Sequence, residues 1–159
     1  MSAIVFLVTE DWYFVSHRLP LAVALRERGW TVTVATRCTG ADARLREAGL
    51  EVVPLPWRRR GGSWRAELTA FRTVRRLVRE RAPDVLHLVA LKPTLFGAAA
   101  ALGHRSTRVV AAIAGLGFLF TSDSLRARLL RPAFVRALGV LLARVDARVI
   151  VQNPEDRVA

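Results

Sequence analysis

The stretch IVFLVTEDWYFVSHRLPLAVALRERG, residues 4–29, sets a plan that the rest of the chain repeats. Residues 4–8 are an unbroken apolar run, the pattern of a strand covered on both faces, as in a parallel sheet. The block 19–25 is equally apolar and is followed by Gly29, which predicts a buried helix stopped by glycine. Between them, residues 9–18 read as a bulky loop. Ser16 or His17 is expected to cap the helix, with Pro20 in its first turn, where a missing N–H costs little. His17 and Arg18 would then stand at a helix N-terminus, whose unpaired N–H groups and positive dipole end favour an anion.

The same strand-loop-helix plan recurs downstream. Strands are expected at residues 31–36 (TVTVAT), 50–55, 84–89, 108–113 and 147–151, and helices at 41–48, 64–81, about 93–102 and 124–144. Ser122 or Asp123 is the expected cap of the last of these, and Pro132 its kink. WRRRGGS (57–63) reads as a basic loop, and Asn153-Pro154-Glu155-Asp156 as the start of a further helix. This alternation predicts an α/β fold, an open and mostly parallel Rossmann-like sheet with helices on both faces. The common strand order 3-2-1-4-5-6 places a ligand crevice beyond the carboxyl ends of the strands, where the order reverses. That point lies between the loops after the first and fourth strands, which carry His17-Arg18 and Lys92.

At 159 residues, against roughly 150 per domain, the chain reads as one domain, and a hydrophobic content of 52% excludes disorder. The net charge of +12 arises with a single lysine, Lys92, among 25 basic residues. Such a charge favours phosphorylated substrates, other polyanions or an anionic membrane surface, against the plainer reading of solvated helix faces. Cys38 is alone, which excludes an intrachain disulfide. Glu10 and Asp11 interrupt the first apolar run, unlike a signal peptide. The longest uncharged stretch, 109–122, falls short of the roughly 20 residues of a spanning helix. The expected location is cytoplasmic, with possible peripheral attachment to the inner face of the membrane.

Lys92 stands at the strand-to-helix turn beside the expected crevice, where an ammonium suits a phosphate or a sugar oxygen; the alternative is a solvated loop lysine. Gly115 and Gly117 allow close backbone approach to a ligand, or simply a turn. Trp12, Tyr13 and Phe14 offer faces for a sugar ring, or a lid on the core. His87 lies inside a buried strand, where a hydrogen-bonded core histidine is the commoner role. No G-x-G-x-x-G follows the first strand, and no P-loop, G-x-S-x-G elbow or carboxylate-histidine cluster occurs, which disfavours dinucleotide, NTPase, hydrolase and metal chemistry. Charge alone speaks for nucleic acid, and no recognition module accompanies it.

Four stretches carry a family resemblance: EDWYFVSHRLPLAVALRERGWTVTVATR (10–37), DVLHLVALKPTLFG (84–97), AIAGLGFLFTSDSLRARLLRP (112–132) and RVIVQNPEDR (148–157). The chain resembles the N-terminal, acceptor-side domain of a glycosyltransferase family 4 enzyme of the GT-B fold, similar to bacterial enzymes that build lipid-linked glycans and polysaccharides. The resemblance implies retaining transfer from a nucleotide-sugar to a polyprenyl-diphosphate-linked or glycan acceptor, with no cofactor and no metal. It also implies a second, donor-binding half, so that residues 1–159 are expected to be incomplete at the C-terminus and inactive alone. Arg18 matches a basic position at the first helix, Lys92 the lysine of the fourth-strand loop, and Gly115 and Gly117 the glycine turn facing the cleft. Trp12, His87 and Asn153 are weaker candidates. Many members carry a histidine where this chain has Val89, and no residue is singled out as a catalytic base. The competing reading is a non-catalytic module held at a membrane or partner by the Arg-rich helices 64–81 and 124–144.

Overall fold

The structure, a computed structural model, describes residues 1–57, 64–113 and 125–151. Its elements are β1 (Ala3–Glu10), α1 (Asp11–His17), α2 (Leu19–Glu27), β2 (Thr31–Arg37), α3 (Asp42–Glu47), β3 (Glu51–Pro54), α4 (Trp64–Arg81), β4 (Val85–Val89), α5 (Leu91–Ala101), β5 (Arg108–Ile113), α6 (Leu125–Arg144) and β6 (Arg148–Val151). The six strands form one sheet in the order β3-β2-β1-β4-β5-β6, and every neighbouring pair is parallel. This is the expected Rossmann-like sheet, with the reversal of order between β1 and β4.

Alternation along β1 divides the core. Val5 and Leu7 join a cluster that includes Val74 and Val78 of α4, Ala98 of α5 and Leu138 of α6. Ile4, Phe6 and Val8 join one with Phe14 of α1, Ala22 of α2 and Leu45 of α3. Residues of a strand point alternately to opposite faces, so an unbroken apolar run is what a strand buried on both sides requires. The small residues of α5 let it lie close to the sheet. A Cβ on Gly97 would stand 2.1 Å from Leu88 Cδ2 and 3.2 Å from Leu7 Cδ2, which glycine alone avoids. Gly29, at φ +83°, ends the α2 turn in the left-handed region as expected.

Several local expectations need correction. Residues 11–17 are not a loop but α1, because burying Phe14 completely outweighs the middling helix propensity of this aromatic and β-branched run. Neither Ser16 nor His17 caps α2. Arg18 occupies that position, and the Ser16 hydroxyl turns back to the carbonyls of Trp12 and Tyr13. Asp84 precedes β4, where its carboxylate accepts a hydrogen bond from the Ala3 amide at 2.7 Å. Helix α5 starts at Leu91, which places Lys92 in its first turn rather than in a loop. The expected cap at Ser122 or Asp123, most of the basic loop and the helix starting near Asn153 lie outside the described residues. Among the described residues, no helix is long and apolar enough to cross a membrane.

Candidate functional site

The carboxyl end of β1 turns directly into α1, and Asp11 fixes that turn. Its fully buried carboxylate accepts hydrogen bonds from the amides of Trp12 (2.8 Å), Thr39 (2.6 Å) and Asp42 (3.1 Å), and from the Thr39 hydroxyl. Burial works against its ionisation. The bonds from Thr39, Trp12 and Asp42 outweigh that and hold its pKa below the ordinary carboxylate value. Asp11 thus ties α1 to the loop after β2 and to the start of α3. Beside it Glu10, also buried, pairs with Arg37 at 3.3 Å, the residue opposite it in the β1–β2 register.

At the reversal of strand order lies a cavity of about 160 Å³, lined by Val8, Thr9, Glu10, Trp12, Tyr13 and Ala90. The crevice expected there is therefore present, although its walls differ from those expected. Trp12 is half exposed and meets Tyr13 edge-on. Tyr13 stacks on the imidazole of His17, with centroids 4.2 Å apart and planes 14° apart. Ala90 has φ +80°, a left-handed conformation that costs a non-glycine residue free energy. Its amide bonds the Ala112 carbonyl while its own carbonyl accepts from the amide and hydroxyl of Thr94, so the turn is held from both sides.

Arg18 and His87 are brought together on the face that carries α1 to α3. The His87 ring packs 5.1 Å from that of Phe6 and is almost fully buried. Burial, and secondarily the Arg18 charge, push its pKa down to about 4, so the imidazole is neutral at pH 7. Among the described residues, Arg18 Nε and His87 Nε2 are both buried with no hydrogen-bond partner. Buried polar groups are seldom left in this state.

Lys92 does not join them. Its Nζ lies 2.7 Å from Glu67 Oε1 of α4, and 5.6 Å and 5.9 Å from the ring centroids of Trp57 and Phe96. Trp57 and Phe96 pack in the cluster beneath α4, α5 and α6, whereas Phe6, the neighbour of His87, belongs to the other cluster. The two cations thus contact side chains on opposite faces, and no clamp forms between them. An ammonium at a helix N-terminus opposes the dipole, and the carboxylate and two aromatic faces available on this side draw it there. Gly115, Gly117 and Asn153 lie outside the described residues. The anchoring role of Asp11 and the strained turn at Ala90 escaped the sequence reading. The only signal was an acidic pair placed where the first apolar run stops.

Solved structures share this architecture. MurG of Acinetobacter baumannii aligns with a TM-score of 0.57 at 15% identity, over 82% of this chain and 39% of that one. A UDP-N-acetylglucosamine 2-epimerase aligns with a TM-score of 0.57 at 17% identity, over 83% and 39%. The glycosyltransferase VinC, in complex with dTDP, aligns with a TM-score of 0.55 at 15% identity, over 94% and 49%. At these identities the likeness concerns the fold, and the chain spans less than half the length of each. No curated protein matches the chain. The family profile described as "Glycosyl transferase 4-like" matches residues 3–153, nearly the whole length, and the chain belongs to that family.

Proposed function

We propose that this chain is the acceptor-side half of a retaining glycosyltransferase that moves a sugar from a nucleotide-sugar donor to a lipid-linked or polysaccharide acceptor, without a metal. The family match gives sugar transfer as the reaction class. The observation that carries the reading is the crevice at the strand-order reversal, where parallel α/β sheets take their ligands. Within it, the half-exposed indole of Trp12 supplies a face for a sugar ring. Arg18, which follows α1 and does not itself line that cavity, is the cation we assign to an acceptor phosphate. His87, buried near Arg18 and neutral at pH 7, leaves the Arg18 charge without a second cation beside it. A second Rossmann-like half would hold the nucleotide, and nucleotide binding as such is supported by the structurally similar VinC, solved in complex with dTDP.

The test is donor-dependent transfer by the protein made from the whole reading frame, with the anomeric configuration of the product compared with that of the donor. Retention with a phosphorylated lipid or glycan acceptor is the expected result. Absence of transfer with every nucleotide-sugar and acceptor offered, or inversion, contradicts it. A peripheral location is supported by α4, whose exposed side carries Arg65, Arg72, Arg75, Arg76 and Arg79 beside a largely exposed Trp64. Salt-sensitive flotation with anionic vesicles, lost in Trp64→Ser, is its expected signature, and flotation that ignores both salt and Trp64 speaks against it.

A further inference from the structure

Among the described residues, the crevice at the strand-order reversal is lined by one charged residue, Glu10, and by no cation, although the chain carries a net charge of +12. A wall of that kind does not hold a phosphate, and its occupant is neutral. At about 160 Å³ the crevice is well below the roughly 300 Å³ at which pockets for drug-sized ligands begin, which leaves room for a single ring. The β1–β2 register shifts just before Glu10, where the steps from Leu7 to Glu10 along β1 outnumber by one those from Ala35 to Arg37 along β2. Irregularities of this kind re-aim the side chain that follows them. Asp11, fixed by its hydrogen bonds to Trp12, Thr39 and Asp42, then holds Glu10 and Trp12 relative to one another before any ligand arrives.

The Glu10 side chain is only 10% exposed, and Arg37 donates to its Oε1 at 3.3 Å. That pair balances the charge, so a further partner needs none. A carboxylate offers about four lone-pair sites, and among the described residues no donor reaches Oε2. Nor is Oε2 one of the enclosed side-chain atoms left without a partner, so it has accessible surface. We infer that Glu10 is the specificity-determining residue of the crevice: its Oε2 accepts hydrogen bonds from hydroxyls of one neutral sugar ring whose apolar face lies on the Trp12 indole. Both sides of a sugar are then met, the C–H face by an aromatic ring and the hydroxyl edge by a charged acceptor. A site built to bond a hydroxyl in this way rejects an analogue that lacks it. That the ring belongs to the acceptor rests on the function proposed above.

The test uses the protein made from the whole reading frame and labelled with fluorotryptophan, the Trp12 resonance being assigned by its loss in Trp12→Phe. Methyl glycosides of hexoses and N-acetylhexosamines are titrated against it, each beside analogues lacking a single hydroxyl. At least one glycoside is expected to shift the Trp12 resonance, and removal of one particular hydroxyl to weaken its binding by about tenfold or more, the size of a hydrogen bond to a charged acceptor. In Glu10→Gln the parent glycoside should weaken by a similar factor and its deoxy analogue should lose nothing further, so that the two bind alike. A merely supporting role for Glu10 would weaken both and keep their ratio. Glu10→Asp, which keeps the charge and shortens the reach by one methylene, covers the case in which Glu10→Gln does not fold, and it should narrow the ratio several-fold. The inference is overturned if no glycoside moves the resonance, if no deoxy analogue binds more weakly than its parent, or if these variants keep the wild-type ratio. Glycoside binding governed by Glu10 in a protein that transfers no sugar removes the proposed function and leaves this inference standing; transfer by a protein whose discrimination ignores Glu10 does the reverse.

Discussion

Replacing Asp11 by asparagine tests whether this side chain holds the crevice in place. The carboxylate accepts four hydrogen bonds, from Trp12, Asp42 and twice from Thr39. Asparagine keeps one acceptor oxygen and turns an amino group toward donors, so about two of the bonds are lost. At about 1.5 kcal/mol for a bond to a charged acceptor, the loss is about 3 kcal/mol. At about 2–4 °C per kcal/mol for a chain of this size, Tm falls by about 6–12 °C at pH 7. The acid limb carries an independent signature. The native carboxyl lies below the ordinary value of 3.8, so the unfolded chain binds more protons in that range. The stabilisation is fully present above that value and is lost as pH falls through the lower native pKa. Thermal melts of wild type and Asp11→Asn from pH 7 down to pH 2 should therefore converge in acid. A variant that melts with the wild type at pH 7, or a gap that persists undiminished in acid, refutes the anchoring role.

The remaining predictions rest on separate contacts. Gly97→Ala gains about 1 kcal/mol of helix propensity but drives a methyl into the buried Leu88, at a cost of about 1–3 kcal/mol. The net effect is a lower Tm, and a raised Tm would show that α5 has room to move. The His87 imidazole, followed by NMR, should titrate with a midpoint near 4. Because the unfolded ring takes up its proton near 6.5, wild-type stability declines as pH falls from about 6.5 toward 4. His87→Leu should flatten that decline, and a native midpoint near 6.5 would remove it. Lys92→Met breaks a partly exposed ion pair with Glu67, worth about 0–1 kcal/mol. It should move Tm by less than about 4 °C and leave transfer within about threefold; a loss beyond tenfold would return Lys92 to the site.

Sheet order was legible in the sequence because it depends on signals that are local and strong. The apolar run at residues 4–8 asks for cover on both faces, and Gly29 and Gly49 punctuate the first two helix-to-strand returns. The aromatic run after β1 misled, because its helix is decided by the burial of Phe14 against Phe6, a contact no propensity scale contains. The site was legible in position and not in composition. The reversal between β1 and β4 fixes where the crevice falls. Where each basic residue goes depends on groups distant along the chain, such as Glu67, which pairs with Lys92 on the other face. Asp11 bonds residues 28 and 31 positions away, so local pattern showed an acidic pair ending the first apolar run but not what it holds.

The most direct measurement is the pair of Michaelis constants for the Arg18→Met enzyme, made from the whole reading frame and assayed with a phosphorylated acceptor and its nucleotide-sugar donor. An acceptor phosphate bound beside Arg18 predicts an acceptor KM raised at least tenfold, with the donor KM unchanged. A raised donor KM with an unaltered acceptor KM, or no change in either, would contradict the placement of the acceptor in this crevice.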